Sequence, residues 1–157
     1  MTTGIGGTVP IVSETDLGRA GTPGIVLVSH SREVAESVAR LAGALAGGAG
    51  DVRVVPAGGD PAGGVGTDAE LIAAAARRAD SGAGVAILVD LGSAVLTVRA
   101  LVAEGGDDGD EGLPPGARML DAPFLEGAVA AVVAAAGGAD LEGVAGAAEE
   151  ARDYRKR

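Results

Sequence analysis

Apolar runs recur along the chain and predict the strands of a buried sheet. Residues 24–28 read Gly-Ile-Val-Leu-Val, and residues 85–89 read Val-Ala-Ile-Leu-Val. Runs of this kind, without polar alternation, are typical of parallel strands covered on both faces. Residues 52–55 form a further strand that is predicted to stop at Pro56, and residues 118–120 form a short fourth strand.

Between these runs, apolar residues recur at the three- and four-residue spacing of a helix that buries one face. Thr67 followed by Glu70 matches a capping box, so Thr67 is predicted to cap the second helix. The pair Gly47-Gly48 is a stop signal for the first helix. The predicted helical stretches are 34–45, 67–79, 93–101, 123–136 and 140–152.

Strands and helices therefore alternate along most of the chain with short connections. This order predicts an α/β fold: an open, doubly wound, mostly parallel four-stranded sheet with helices on both faces. Residues 1–22 lack a sustained period and are interpreted as a flexible N-terminal extension, and residues 23–152 as one domain. Residues 153–157 form a basic C-terminal tail, and the acidic stretch 105–116 is predicted to be a loop.

The amino-acid composition indicates which side chains can form the core of this fold. The chain has 157 residues, of which 47% are hydrophobic but only 1% aromatic, so Ala, Val, Leu and Ile must fill the interior. A chain of this length fits a single domain. The 28 glycines fall largely between the apolar runs, where loops are expected.

Charge and cysteine content narrow the possible partners and the compartment. The formal net charge is -10, which argues against nucleic acid and anionic membrane surfaces and favours a protein partner with a basic docking face. The absence of cysteine excludes disulfides and thiolate chemistry. No apolar run reaches the ~18 residues needed to cross a bilayer, and no secretory signal is visible, so we expect a cytoplasmic protein.

Several cofactor chemistries are also disfavoured. Lys156 is the only lysine, so the Gly-Lys pair of a phosphate-binding P-loop is missing. One histidine without cysteine cannot make an ordinary zinc site. We therefore expect no cofactor and no bound metal, although a magnesium site made only of carboxylates stays open.

The residues that follow the two most apolar strands are the candidates for chemistry. His30 follows the first strand and Asp90 the third, and ligands of such sheets gather at the carboxyl ends of strands beside the point where strand order reverses. A hydrogen bond from Nδ1–H of His30 to Asp90 would leave Nε2 as a nucleophile for a phosphoryl group. Further residues near these strand ends are candidates for contacting that group: Ser31, Gly66, Thr67, Gly92 and Ser93.

Simpler interpretations of the same residues stay open. A lone histidine at a strand end is often a capping or solvated residue, and Asp90 could cap the third helix together with Ser93. The loop 58–66 could be a plain connection, because it lacks the spacing of a dinucleotide fingerprint. Thr67 is interpreted first as a helix cap. The acidic stretch 107–111 is more typical of a solvated loop than of a metal site.

Three motifs in order carry a family resemblance: residues 24–31 (Gly-Ile-Val-Leu-Val-Ser-His-Ser), 63–67 (Gly-Gly-Val-Gly-Thr) and 89–94 (Val-Asp-Leu-Gly-Ser-Ala). Residues 121–128 fit the same pattern. With these motifs the chain, over about residues 23–150, resembles the phosphocarrier subunits of phosphoenolpyruvate-dependent dihydroxyacetone kinases. Those subunits in turn are similar to the mannose-type EIIA domains of the sugar phosphotransferase system.

The resemblance implies a function for the two candidate residues. His30 would accept a phosphoryl group from HPr and pass it to ADP held on the DhaL subunit, and the resulting ATP would phosphorylate dihydroxyacetone on DhaK. Asp90 matches the acidic residue that pairs with the active histidine. The resemblance also implies a doubly wound parallel sheet and a homodimer.

Three other functions compete with this one. A mannose-type EIIA would pass the phosphoryl group to a sugar-transporting IIB component, but the forms of residues 29–31 and 90–93 favour the kinase subunit. A receiver-like regulatory module would use Asp90 as the phosphoacceptor, yet such modules need clustered acids after the first strand and a lysine near the fourth. A plain interaction domain without chemistry is the third.

Overall fold

The computed structural model describes residues 21–104 and 112–157. Most of the predicted N-terminal extension and of the acidic stretch 105–116 lies outside the described residues. Among the described residues, no helix is long and apolar enough to cross a membrane.

A four-stranded parallel sheet forms the centre of the fold, in the order β2-β1-β3-β4. The strands are β1 (Gly24–Ser29), β2 (Val54–Gly58), β3 (Val85–Val89) and β4 (Ala117–Met119). The chain adds β2 on one side of β1 and then crosses over to place β3 on the other side. The predicted doubly wound α/β sheet is thus confirmed, and the strand order reverses between β1 and β3.

Helices cover both faces of this sheet. Their bounds are α1 (Arg32–Leu45), α2 (Ala69–Ala79), α3 (Gly92–Glu104), α4 (Phe124–Ala136) and α5 (Leu141–Glu150). Helices α1, α4 and α5 pack on the face that carries Ile25 and Leu27, whereas α2 and α3 pack on the face that carries Val26 and Val28. Because side chains alternate along a strand, residues 25–28 of β1 must all be apolar to fill both layers.

The core consists of small aliphatic side chains, as the composition predicts. Every residue of β1 and β3 is buried, and alanines of α2 and α4 lie directly against the sheet. Alanine-rich faces let the helix axes approach the sheet closely, which compensates for the lack of aromatic volume. Beyond α5, the short helical turn Ala151–Asp153 leads into the basic tail, where Lys156 forms an ion pair with Glu126 of α4 at 2.6 Å.

The second strand is displaced from its predicted position. The sequence predicts residues 52–55 with a stop at Pro56, but β2 continues to Gly58 and contains Pro56. The strand lies at the edge of the sheet, and its hydrogen bonds to β1 involve odd-numbered residues such as Arg53 and Gly59. The backbone nitrogen of Pro56 therefore faces the open edge of the sheet. Because no neighbouring strand lies there, the lack of an N–H removes no hydrogen bond from the sheet.

The predicted capping box of the second helix is wrong. Asp68, and not Thr67, is the N-cap of α2, and its carboxylate accepts a hydrogen bond from the Leu71 N–H at 2.9 Å. Both residues are favourable caps, so the sequence did not separate them. The consequence is that Thr67 precedes the helix and its hydroxyl is free to contact another element.

Candidate functional site

The carboxyl ends of β1 and β3 bring the two candidate residues together. The strands are neighbours, Val28 pairs with Val89, and the Asp90 N–H donates to the Val28 carbonyl at 3.1 Å. His30 and Asp90 each directly follow the last residue of one of these strands, so both side chains lie at the point where the strand order reverses. This is the position where parallel sheets commonly bind ligands.

The imidazole of His30 contacts the carboxylate of Asp90 directly. The Nδ1 atom of His30 lies 2.9 Å from Oδ1 of Asp90, and the two side chains are 22% and 15% exposed. The backbone N–H of His30 donates to the other oxygen, Oδ2, at 3.0 Å. The carboxylate therefore fixes both the ring and the backbone of the histidine.

Two further donors complete the hydrogen bonding of the Asp90 carboxylate. The Ser29 hydroxyl donates to Oδ2 at 2.8 Å, and the Leu91 N–H donates to Oδ1 at 2.6 Å. Each oxygen of Asp90 thus accepts two hydrogen bonds. None of the four comes from the first turn of α3, so the interpretation of Asp90 as a helix cap is wrong.

These contacts keep the carboxyl ionised. Burial on its own raises the pKa of Asp90, but the backbone N–H of His30, the Ser29 hydroxyl, the imidazole of His30 and the N–H of Leu91 together hold that pKa below its ordinary value. An ionised carboxylate accepts hydrogen bonds only. The proton between the two side chains therefore belongs to Nδ1, and Nε2 of a neutral His30 carries a lone pair.

The lone pair of Nε2 points to the start of α3. The Oγ atom of Ser93 lies 2.5 Å from Nε2, so its hydroxyl donates to the ring nitrogen. Ser93 and Gly92 form the first turn of α3 and are exposed. A group attached to Nε2 would take the place of this hydroxyl contact and would face the helix N-terminus, where N–H groups and the helix dipole favour negative charge.

The other three predicted residues hold the frame of the site. The Ser31 hydroxyl caps α1 by accepting from the Val34 N–H at 3.3 Å. The Gly66 N–H donates to the His30 carbonyl at 2.9 Å, which ties the loop before α2 to the histidine. The hydroxyl of Thr67 lies 3.3 Å from the hydroxyl of Thr97. The Thr97 hydroxyl donates to the Ser93 carbonyl. In this geometry Ser31, Gly66 and Thr67 support the residues that contact the imidazole.

A close backbone approach brings β2 under the same site. A Cβ atom added to Gly58 would lie 2.4 Å from the Ser31 carbonyl oxygen and 2.7 Å from the Arg32 Cα. Only glycine fits there without moving the chain that carries His30. The end of β2 and the beginning of α1 therefore depend on each other.

Sequence reasoning gave no role to Ser29, which the structure places beneath the site. It is the single buried polar residue among the described residues, with 1% exposure. A signal was present in the sequence, since Ser29 is the polar end of a strand whose other residues are all apolar. A buried hydroxyl at such a position needs a partner, and that partner is Asp90.

The rim of the site carries exposed apolar side chains. Val65 in the loop before α2 is 82% exposed, Leu91 is 65% exposed and Val34 in the first turn of α1 is 45% exposed. Val65 precedes Gly66 and Leu91 follows Asp90, and both of these neighbours bind His30. The N–H of Val34 binds the hydroxyl of Ser31, the residue after His30. Within the described residues, no group of three or more His, Cys, Asp or Glu side chains is arranged to hold a metal ion.

Comparison with a family model gives a match to most of the chain. Residues 24–145 match the family EIIA-man, described as the "PTS system fructose IIA component". The matched range runs from β1 through the first half of α5 and includes both His30 and Asp90.

Curated relatives share the same portion of the chain. A protein of Providencia stuartii named "PEP-dependent dihydroxyacetone kinase, phosphoryl donor subunit DhaM" is 30% identical over 136 residues, which are 85% of this chain and 28% of the relative. The protein of that name from Escherichia coli K12 is 31% identical over 121 residues, 76% of this chain and 25% of the relative. The chain thus spans about a quarter of the length of these relatives.

A solved structure has a similar fold. The crystal structure of EF1359, a protein of unknown function, superposes with a TM-score of 0.69 at 28% identity. The match covers 82% of this chain and 94% of that one.

Proposed function

The chain belongs to the EIIA-man family of phosphotransferase-system components, and we propose that it carries a phosphoryl group on Nε2 of His30. The observation that supports this role is the asymmetry of the imidazole. Its Nδ1 is bound to an ionised carboxylate, while its Nε2 contacts a single exposed hydroxyl at the rim. One nitrogen is fixed, and the other is available to a partner.

The transfer step uses this arrangement directly. The lone pair of Nε2 attacks the phosphorus atom of the donor, the Nε2–P bond forms, and the bond from phosphorus to the donor atom breaks with its electron pair leaving on the donor. No proton has to leave Nε2 first, because the proton of the neutral ring is on Nδ1. Asp90 stabilises the positive charge that develops on the ring as the new bond forms.

The start of α3 is the proposed site of the transferred group. The hydroxyl of Ser93 turns from Nε2 to a phosphoryl oxygen, and N–H groups of the first turn around Gly92 face the same region. In the second half-reaction an oxygen of the terminal phosphate of ADP attacks phosphorus, the Nε2–P bond breaks and Nε2 recovers its lone pair.

The proposed partners are those that the family resemblance implies. We propose that HPr is the phosphoryl donor and that the acceptor is ADP bound to a DhaL subunit, so that the transfer supports dihydroxyacetone phosphorylation on DhaK. Both exchanges place the partner against the rim that carries Val65 and Leu91, whose exposed apolar side chains suit brief protein contacts. A homodimer in the cytoplasm belongs to the same proposal.

The alternative acceptor is a sugar-transporting IIB component, since the family description refers to a sugar phosphotransferase system. The two acceptors can be compared in one assay. The chain is first phosphorylated and freed from donor, and the loss of its phosphoryl group is then followed with DhaL–ADP or with a IIB protein. Rapid loss to DhaL–ADP with formation of ATP supports the kinase role, whereas loss only to IIB contradicts it.

His30→Ala tests the carrier itself. The wild-type chain and the variant are incubated with phosphoenolpyruvate, enzyme I and HPr, and intact mass is measured. We expect one added phosphoryl group on the wild-type chain and none on the variant, with unchanged circular dichroism because His30 lies at the rim. The adduct should be labile to acid and stable to base. A phosphorylated His30→Ala protein would refute the proposal.

A further inference from the structure

The hydroxyl of Ser29 links the backbone of the site to its carboxylate. It donates to Oδ2 of Asp90 at 2.8 Å and accepts from the Ser31 N–H at 3.1 Å. The direction of the first bond is fixed, because an ionised carboxylate can only accept. The second bond then uses a lone pair of the same oxygen, so the hydroxyl has a defined orientation.

This link acts on the oxygen that the imidazole does not use. Nδ1 of His30 binds Oδ1, whereas Ser29 and the backbone N–H of His30 both bind Oδ2. Two donors on Oδ2 prevent rotation of the carboxylate about its terminal bond, and Oδ1 therefore stays in line with Nδ1–H. Ser29 is 1% exposed, so water does not replace its hydroxyl.

We propose that Ser29 is a positioning residue for phosphoryl transfer: its buried hydroxyl holds the Asp90 carboxylate in the orientation that keeps the His30 proton on Nδ1 and the lone pair on Nε2. The inference rests on the proposed carrier function of His30. Ser29 does not touch the phosphoryl group, and it acts only through Asp90. Removing the hydroxyl lets the carboxylate turn and weakens its hold on one tautomer of the ring.

The single histidine of the chain permits a direct test. In protein labelled with ¹⁵N at the imidazole, the two ring nitrogens report which one carries the proton. In the neutral form of the ring, the wild-type chain should carry the proton mainly on Nδ1. In Ser29→Ala the proton should be shared with Nε2, and Ser29→Thr, which keeps the hydroxyl, should restore the wild-type signals. The rate of phosphorylation by HPr should fall about tenfold in Ser29→Ala, the size of effect that outer partners of metal-bound histidines have on activity, and should recover in Ser29→Thr.

Ser81→Ala is the matched control. The Ser81 hydroxyl also makes a part-buried hydrogen bond, to the Thr22 carbonyl at 2.6 Å, but it precedes β3 and lies at the opposite end of the sheet. Its loss should leave the ring signals and the rate unchanged. Ser29→Cys keeps the side-chain volume, but its thiol is a weak donor. Its ring signals and phosphorylation rate should therefore lie between those of wild type and Ser29→Ala. If Ser29→Ala does not fold, the result for Ser29→Cys decides the test.

The tautomer measurement needs no phosphoryl donor, so it separates this inference from the carrier proposal. Wild-type ring signals in Ser29→Ala, or in Ser29→Cys when that variant decides, would overturn the role of Ser29 even if His30 is phosphorylated. A shifted tautomer in a chain that HPr does not phosphorylate would instead support the positioning of the ring and contradict the carrier function.

Discussion

Replacing Asp90 by asparagine keeps the shape of the side chain but removes the charge on which the site depends. The carboxylate accepts four hydrogen bonds, two on each oxygen. An amide offers one acceptor oxygen and one NH₂ donor. In either orientation of the amide, two donors of the site therefore face another donor.

The expected effects on stability and on rate differ in size. The Ser29 hydroxyl can turn to accept, but a backbone N–H cannot, so either the part-buried N–H of His30 or the exposed N–H of Leu91 loses its partner. Loss of the His30 partner costs about 1–3 kcal/mol of unfolding free energy. The charge that stabilises the developing imidazolium is lost as well. Electrostatic contributions of this kind are worth about a hundredfold in rate, which corresponds to about 2.7 kcal/mol.

Single-turnover transfer from phosphorylated HPr measures the rate, and titration with unphosphorylated HPr measures binding. We expect slow transfer with unchanged affinity, because the Asp90 side chain is mostly covered and contributes little to the rim. Asp140→Asn is the matched control: Asp140 caps α5, and asparagine is an equally good cap. A transfer rate for Asp90→Asn within about twofold of the Asp140→Asn rate would refute the electrostatic role of Asp90.

Two further results are expected. The pKa of Asp90 is depressed in the folded chain. The stabilising contribution of its ionised carboxylate is therefore present at neutral pH and is lost as the pH falls below ~4 and through the folded pKa. In urea unfolding, the stability difference between wild type and Asp90→Asn should narrow over that range, and a constant difference would contradict this linkage. Gly58→Ala should lower the unfolding free energy by about 1–3 kcal/mol and slow phosphorylation, because its Cβ would meet the backbone at Ser31 and Arg32. The control Gly43→Ala in α1 should be neutral or stabilising, because its Cβ meets no atom within 4 Å. Equal melting temperatures for the two variants would show that the contact at Gly58 is not tight.

The fold and the central pair could be predicted because they depend on strong, local patterns. β3 is apolar throughout and β1 is apolar up to Val28, so their existence and burial follow from the sequence. Once both strands lie in one parallel sheet, a polar residue directly after each must lie at the same edge. His30 and Asp90 are such residues, and they become neighbours when β1 and β3 pair across the switch point, as in the common doubly wound orders.

The features that sequence analysis missed depend on tertiary contacts. Pro56 is compatible with β2 only because that strand lies at the sheet edge, and a strand's position in the order is not a local property. Thr67 and Asp68 are both acceptable caps, and the loop before them is bound to the His30 carbonyl through Gly66, a tertiary contact that no local pattern shows. The role of Ser29 requires knowledge of where its hydroxyl points, which no spacing rule supplies.

A phosphoryl carrier has two requirements that conflict, and the site separates them in space. The imidazole must be held in one tautomer, yet its reactive nitrogen must be open to different partners in turn. The buried side of His30 meets the first requirement through Asp90 and Ser29, whose hydrogen bonds are shielded from water. The exposed side meets the second through Ser93, whose hydroxyl can rotate about its Cα–Cβ bond at little cost. Changes on the buried side should therefore alter chemistry with both partners alike, whereas changes at the rim should separate one partner from the other.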